Sequence, residues 1–193
     1  MKLLLHICCG PCTTYPLPVL RDAGIEVQGY FYNPNIHPFR EFKKRMDGVR
    51  MLAEQEKLPV EYEQEYGLCE YLRRVVFHEH RRCQICYRMR LEQTAIKARE
   101  KGLEAFSTTL LYSRYQNHAA IRALGREMEE KYQIAFYYAD FREGWQEGID
   151  RSIDMDLYRQ AYCGCIYSEQ ERYDRQLRQK KKKQGECENN CDR

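Results

Sequence analysis

Short unbroken apolar runs alternate with longer stretches in which apolar positions recur at helical spacing, and the alternation continues along most of the chain. Leu3–Ile7 is the first such run and predicts a buried strand. It ends at CysCysGlyProCysThrThr. A helix follows to about Asp22, closed by Gly24, with Pro16 and Pro18 in its first turn, where missing amide donors cost little. Val27–Tyr32 predicts a second strand, and AsnProAsnIleHisPro a turn-rich loop. In Phe39–Lys57, Phe42, Met46, Val49 and Ala53 fall near one face of a helix. Strands are expected at Val60–Gln64, Ala105–Leu110 and Ile134–Asp140. Helices are expected at Leu68–His80, Gln84–Lys101, Tyr115–Tyr132 and Ile149–Tyr158. PheArgGluGlyTrpGlnGluGly is expected to be a loop, and the chain from Tyr167 a polar helix fading into disorder. Strands alternating with helices predict an α/β fold, an open parallel sheet with helices on both faces. One domain is expected over residues 1–173, with a basic, disordered tail over residues 174–193.

Composition sharpens this picture. The chain has 193 residues, 43% hydrophobic and 32% charged, which is the balance of a folded protein rather than a disordered one. It has no run of about 18 apolar residues, so no membrane span is expected. MetLysLeuLeuLeuHis is too short for a secretory core of roughly 7–15 apolar residues, so a cytoplasmic location is expected. The net charge of +3 equals that of the tail, where Asp174–Arg193 carries seven basic and four acidic residues. Inside the neutral remainder, Arg73, Arg74, Arg81, Arg82, Arg88 and Arg90 stand against one acid, Glu79. Such local basicity suggests an anionic partner.

Ten cysteines are the strongest chemical signal. In a reducing compartment they are metal ligands or redox groups more often than staples. Cys8, Cys9 and Cys12 occupy the strand-to-helix turn where nucleotide-binding folds keep a glycine loop, and neither GxxxxGK[ST] nor GxGxxG is present. A helix amino terminus there also favours thiolate. Cys83 and Cys86 lie one helical turn apart, suited to one metal ion or one cluster edge. Cys163 and Cys165 flank Gly164, which lets the backbone bend around a ligand. Seven thiols exceed the four of a structural zinc or a four-iron cluster, which suggests a cluster and a second function. Further candidates are His37 as ligand, acid or substrate contact, and Asp140 and Arg142 beyond a strand. Tyr158, Arg159 and Gln160 could bind a base by stacking and hydrogen bonds. His78 and His80 are expected to face solvent or phosphate, and Cys69 the core. Cys187, Cys191 and Lys180–Lys183 belong to the tail.

Together these stretches make the chain resemble the epoxyqueuosine reductases of the QueH type. The matching residues are HisIleCysCysGlyProCysThrThr (6–14), PheTyrAsnProAsnIleHisPro (31–38), ArgCysGlnIleCysTyrArgMetArgLeu (82–91), SerThrThrLeu (107–110), AspPheArg (140–142) and LeuTyrArgGlnAlaTyrCysGlyCysIleTyrSer (157–168). Two places depart from the family form: Ser113-Arg114 stands where a serine–proline pair is common, and residues 141–152 lack the usual lysines.

The resemblance implies a Rossmann-like fold of the adenine-nucleotide hydrolase group, here with cysteine-bearing helical insertions. It implies a 4Fe-4S cluster with an additional mononuclear iron, and reduction of epoxyqueuosine to queuosine in the anticodon of tRNA. Cys8, Cys9, Cys12, Cys83, Cys86, Cys163 and Cys165 would hold the metals. Cys83 and Cys86 are assigned to the cluster with one or two thiols of the first group. Cys8, Cys12 and Asp140 would serve catalysis, the last by orienting or protonating substrate. The arginines named above would contact tRNA, and a low-potential donor such as a ferredoxin or flavodoxin would supply electrons. Three alternatives share parts of this pattern. A tRNA thiolation enzyme would need the ATP loop that is absent here. A thiol–disulfide oxidoreductase would work without metal. A zinc-stabilised or cluster-containing tRNA-binding module would perform no epoxide chemistry.

Overall fold

A computed structural model describes residues 1–177 and 179. Five strands form one sheet: β1 (Lys2–His6), β2 (Glu26–Phe31), β3 (Val60–Tyr62), β4 (Ala105–Thr108) and β5 (Ala135–Phe136). All pairings are parallel, in the order β3-β2-β1-β4-β5. The helices are α1 (Pro16–Asp22), α2 (Phe39–Gln55), α3 (Leu68–Val75), α4 (Arg82–Glu100), α5 (His118–Tyr132), α6 (Trp145–Asp154) and α7 (Ile166–Tyr173). Right-handed crossovers send α1 and α2 to one face and α4 and α5 to the other. Leu3, Leu4 and Leu5 are accordingly all fully buried, although their side chains alternate between the faces. The open parallel sheet expected from the sequence is therefore present.

The strand order reverses between β1 and β4, whose residues His6 and Thr108 are register partners. Polar loops leaving two strands in opposite directions open a crevice at such a point. His6 stitches the crevice floor. Its Nε2 donates to the Tyr32 carbonyl at 3.1 Å, so Nδ1 accepts from the Thr108 hydroxyl at 2.9 Å.

Several elements differ from expectation: β3 and β4 stop at Tyr62 and Thr108, and the helix expected over Ile149–Tyr158 ends at Asp154, before Asp156 takes φ +51°. The last strand shrinks to two residues at the sheet edge, pairing only with β4. The helix expected over Leu68–His80 stops at Val75, because exposed Phe77 takes φ +66° before a 3-10 turn at Glu79–Arg81. The helix expected from Tyr115 starts at His118, where the Asn117 side chain accepts from the Ala120 amide. The expected loop PheArgGluGlyTrpGlnGluGly is a 3-10 turn, Phe141–Gly144, running into α6. Asp140 caps that turn by accepting from the Arg142 amide at 3.1 Å. Lys180–Lys183, Cys187 and Cys191 lie outside the described residues.

Contact between α5 and β5 depends on Gly125. A Cβ there would collide with three atoms of the Phe136 ring. Gly125→Ala is expected to cost about 1–3 kcal/mol. That should lower Tm by several degrees in a chain of this size, readable by calorimetry. An unchanged Tm would mean that β5 yields without cost.

Candidate metal centre

The first thiol group grows out of β1. Directly after the strand the chain turns through Cys8–Cys12, and Thr13 donates its amide to the Gly10 carbonyl at 2.9 Å. A Cβ on Gly10 would lie 2.8 Å from the Gly48 carbonyl oxygen, so only glycine lets this turn press onto α2. The sulfurs of Cys8, Cys9 and Cys12 all lie within 4.8 Å of one another and are buried. Thr109, just beyond β4, accepts from the Cys8 amide at 3.1 Å and donates to the Cys8 sulfur at 3.3 Å. Gln160 donates to the Cys9 sulfur at 2.9 Å. Hydrogen bonds from Cys12, Cys9 and Thr109 lower the pKa of Cys8 against its burial. Burial raises Cys9, while donation to Cys8 raises Cys12. Sulfur so grouped carries negative charge at one atom first.

The second group joins two distant segments. Cys83 and Cys86 sit in the first turn of α4, and Cys163 and Cys165 in the bend before α7. Gly164 takes φ +136°, a conformation open to glycine, and its carbonyl accepts from the His37 amide at 2.8 Å. Arg45 holds the bend from α2. It donates to the carbonyls of Cys163 and Tyr162 at 2.9 Å each and pairs with Glu41 at 2.7 Å. Cys86 and Cys165 pack in a small cluster with Tyr71, Val75 and Met89. Burial pushes Cys86 up to about 11 and also raises Cys83. Donation from Cys163, then from Ser168, brings Cys165 down to about 5, and Cys163 is raised in return. Each group thus contains one acidified sulfur among neutral neighbours.

A cavity of about 550 Å³ brings Cys8, Cys12 and Cys163 onto one surface with Arg45, Arg90 and Gln160. Arg90, on α4, is 4% exposed and donates to both the sulfur and the carbonyl of Cys86, at 2.9 and 3.3 Å. No carboxylate pairs with it among the described residues. Burial opposes its cation, and charge at Cys86, Cys8, Tyr87 and Cys163 favours it, so the supporting groups include sulfurs of both thiol groups. A buried cation answered by sulfur, a carbonyl and a phenol, with no carboxylate beside it among the described residues, suits an anionic thiolate assembly. Two further buried groups want partners on the same side. Among the described residues neither ring nitrogen of His37 has a hydrogen-bond partner of normal geometry, and the Tyr71 hydroxyl faces the Cys165 sulfur without one. Burial lowers the His37 pKa, and the charge of Cys165 opposes the shift. Charge on Cys86 and Cys165 keeps Tyr71 a phenol, after burial itself. Soft sulfur donors in two groups, a compensating cation and unsatisfied donors nearby fit a metal–sulfur cofactor.

Of the seven expected ligand cysteines, Cys8, Cys12 and Cys163 line the cavity with Gln160, Cys9 adjoins the first two, Cys86 and Cys165 pack in the small cluster beside Arg90, and Cys83 is exposed, as is Cys163. Arg159 is exposed on the cavity rim. Other expectations need correction. His37 is 2% exposed and cannot touch a tRNA, because the loop folds inward behind the Gly164 bend. Arg90 turns into the cavity and cannot reach RNA phosphate. Tyr158 donates to Glu41 at 2.6 Å and lies under Lys44, so its ring is structural. Arg88 forks onto Glu127, with one contact of 2.7 Å, and Arg82 pairs with Glu171. Arg74 pairs with Glu70. Arg73 and Arg81 are exposed, as are His78 and His80. Cys69, expected in the core, is exposed.

Asp140 lines a separate cleft with Arg114, Arg142 and Glu143. The Arg142 guanidinium holds its carboxyl down at about 2, so at neutral pH it is a carboxylate rather than a proton donor. Sequence reasoning missed Arg45, although a charge on the apolar stripe of Phe42, Met46 and Val49 marks it. It also missed the inward turn of Arg90. Cys83, Cys86 and Arg90 fall at positions i, i+3 and i+7 of one helix, which is the signal that was available.

A cysteine-lined cavity at the switch point of an open parallel sheet defines an α/β protein whose site is built from sulfur at the turn where nucleotide-binding folds keep glycine. Comparison with known proteins then narrows the class. A family profile described as "Epoxyqueuosine reductase QueH" matches residues 3–171. A Dehalococcoides mccartyi protein named epoxyqueuosine reductase QueH is 40% identical over 172 residues, 89% of this chain and 94% of its own length. A Thermotoga maritima protein of the same name is 38% identical over 179 residues, 88% of this chain and 91% of its own. One from Streptococcus pyogenes is 32% identical, over 86% of this chain and 70% of its own. The chain belongs to the QueH epoxyqueuosine reductase family, a family of oxidoreductases.

Proposed function

We propose that this chain reduces epoxyqueuosine to queuosine in the anticodon of tRNA. The observation that carries the proposal is the pair of cysteine groups joined across one cavity by buried Arg90. The reaction breaks both carbon–oxygen bonds of the epoxide and leaves a carbon–carbon double bond. Two electrons and two protons release the oxygen as water. When bound, a 4Fe-4S cluster with an adjacent iron ion supplies single electrons at low potential and a Lewis-acid site. Cys8, Cys9, Cys12, Cys83, Cys86, Cys163 and Cys165 would hold these metals between them, and a ferredoxin- or flavodoxin-type donor would supply both electrons.

The remaining residues shape the site. Arg90 and Arg45 offset negative charge on the sulfurs. Tyr112 and Trp145 wall the cavity and limit water, and Gln160 fixes the first thiol group through Cys9. Arg73, Arg81 and Arg159 stand free to meet phosphates. Among the described residues no helix is long and apolar enough to cross a membrane.

The test is incubation of protein loaded without oxygen with epoxyqueuosine-containing tRNA and a strong reductant, followed by mass spectrometry of the nucleosides. Loss of one oxygen from the modified nucleoside is the expected result. Fully loaded protein that leaves epoxyqueuosine intact would overturn the proposal. Binding of that tRNA is expected to weaken steeply with salt, and Arg73→Gln with Arg81→Gln should flatten the log–log slope by about 1 per residue. A slope unchanged in the double variant would remove these two arginines from the interface.

A further inference from the structure

The cavity that holds Cys8 and Cys12 is also lined by an aromatic ledge. The Trp145 ring stacks on buried Tyr112, with centroids 5.1 Å apart and planes 25° apart. The Tyr112 hydroxyl donates to the Trp145 carbonyl at 2.8 Å, which ties the two together. Tyr115 meets the Trp145 ring nearly perpendicular, 5.6 Å between centroids and 80° between planes. Its own side chain is 84% exposed, although it lines the same cavity as Cys8 and Cys12. Its amide donates to the Ser113 hydroxyl at 3.3 Å, which restrains the backbone beneath the ring. The Arg114 guanidinium lies 5.6 Å above Trp145. Arg114 belongs to the neighbouring cleft with Asp140, Arg142 and Glu143, and Arg159 lines the cavity; neither is in an ion pair among the described residues. An outward-facing aromatic surface with one cation against it and a second on the cavity lining matches an aromatic ring attached to phosphate.

The chemistry of the reaction says why such a surface is needed. A modified base can reach sulfur at the cavity floor only by leaving the stack of its loop. Its neighbour then loses a stacking partner, a cost of a few kcal/mol unless a protein ring replaces it. We propose that Tyr115, braced by Trp145 and Tyr112, stacks the unpaired anticodon-loop base adjacent to the modified nucleoside, while Arg114 meets the phosphate between them. This subsite rests on the reductase reading given above. It takes any flat nucleobase, since stacking does not read base edges.

The test uses the metal-loaded full chain and a synthetic anticodon stem-loop RNA, intact or with an abasic site on one side or the other of the wobble position. Trp145 is the only tryptophan of the chain, so its emission reports the ledge directly. Tyr115→Ala should weaken binding of the intact loop about 5- to 100-fold, with Tyr115→Phe close to wild type and Tyr115→Leu weak. One of the two abasic sites should cost the wild type a similar factor and abolish the emission change. That same site should cost Tyr115→Ala almost nothing more, because both changes remove one contact. Losses that multiply instead, or a Tyr115→Ala protein that binds like wild type, would overturn the subsite. The reductase reading is judged separately on epoxyqueuosine-containing tRNA. Wild-type protein that shows the coupled loss yet never converts that tRNA would overturn the reading and leave the stacking contact standing.

Discussion

Cys86→Ala should fold, yet lose its bound iron and sulfide and with them the conversion of epoxyqueuosine, by about a thousandfold or more, because no electron store then remains. Cys86 is buried among Tyr71, Val75 and Met89, so the lost sulfur costs packing of about 1 kcal/mol, well short of unfolding. It is also the residue that couples the two halves of the site. It lies one turn from Cys83, receives a hydrogen bond from Arg90 and has its pKa raised further by the charge of Cys165. The measurements are visible absorption, iron and sulfide analysis, and nucleoside turnover on the same sample. A Cys86→Ala protein with full colour and full turnover would show that the second thiol group is packing.

Arg90→Met is expected to act in opposite directions on the empty and the loaded protein. Without cofactor, the guanidinium is a buried cation with no carboxylate partner among the described residues, sustained by partial charge on nearby sulfur. A methionine of similar length removes that desolvation cost, so the empty protein should keep its Tm or gain up to about 4 kcal/mol. With cofactor, the anionic sulfurs lose their counter-charge. The metal should then dissociate about 10–100-fold more readily, and the reduction potential should fall. Thermal unfolding of the empty protein and redox titration of the loaded one separate the two effects. Destabilisation of the empty protein by about 3–5 kcal/mol would instead mark Arg90 as half of a structural pair.

Much of the fold was legible because its signals are local. Leu3–Ile7 is apolar on both faces, as a strand covered from both sides must be, and Pro16, Pro18 and Gly24 mark the ends of α1. The cysteine groups were legible for the same reason, since each is a tight spacing within one turn or bend. Their meeting was not, because Thr109, Gln160 and Arg45 reach the thiols from more than thirty residues away in every case. Charge alone misled for Arg88 and Arg90. Both belong to one basic stretch, yet the helix turns one to Glu127 on its outer side and the other into the cavity. His37 was misplaced because nothing in AsnProAsnIleHisPro reveals that Gly164 will close over it. The sequence pattern puts Trp145 in a loop because Gly144 and Gly148 interrupt the helical spacing, whereas Trp145 starts α6. In the fold both glycines give room to neighbouring tyrosines, Tyr15 and Tyr112.

The claim on which the account turns is that these cysteines hold a redox-active iron–sulfur assembly. The most direct measurement is iron, zinc and acid-labile sulfide per chain, on protein purified and reconstituted without oxygen. About four sulfides with about four to five irons is the result expected for a four-iron cluster with or without an adjacent ion. Zinc without sulfide would contradict the account, because the cysteines would then hold a metal that stores no electrons.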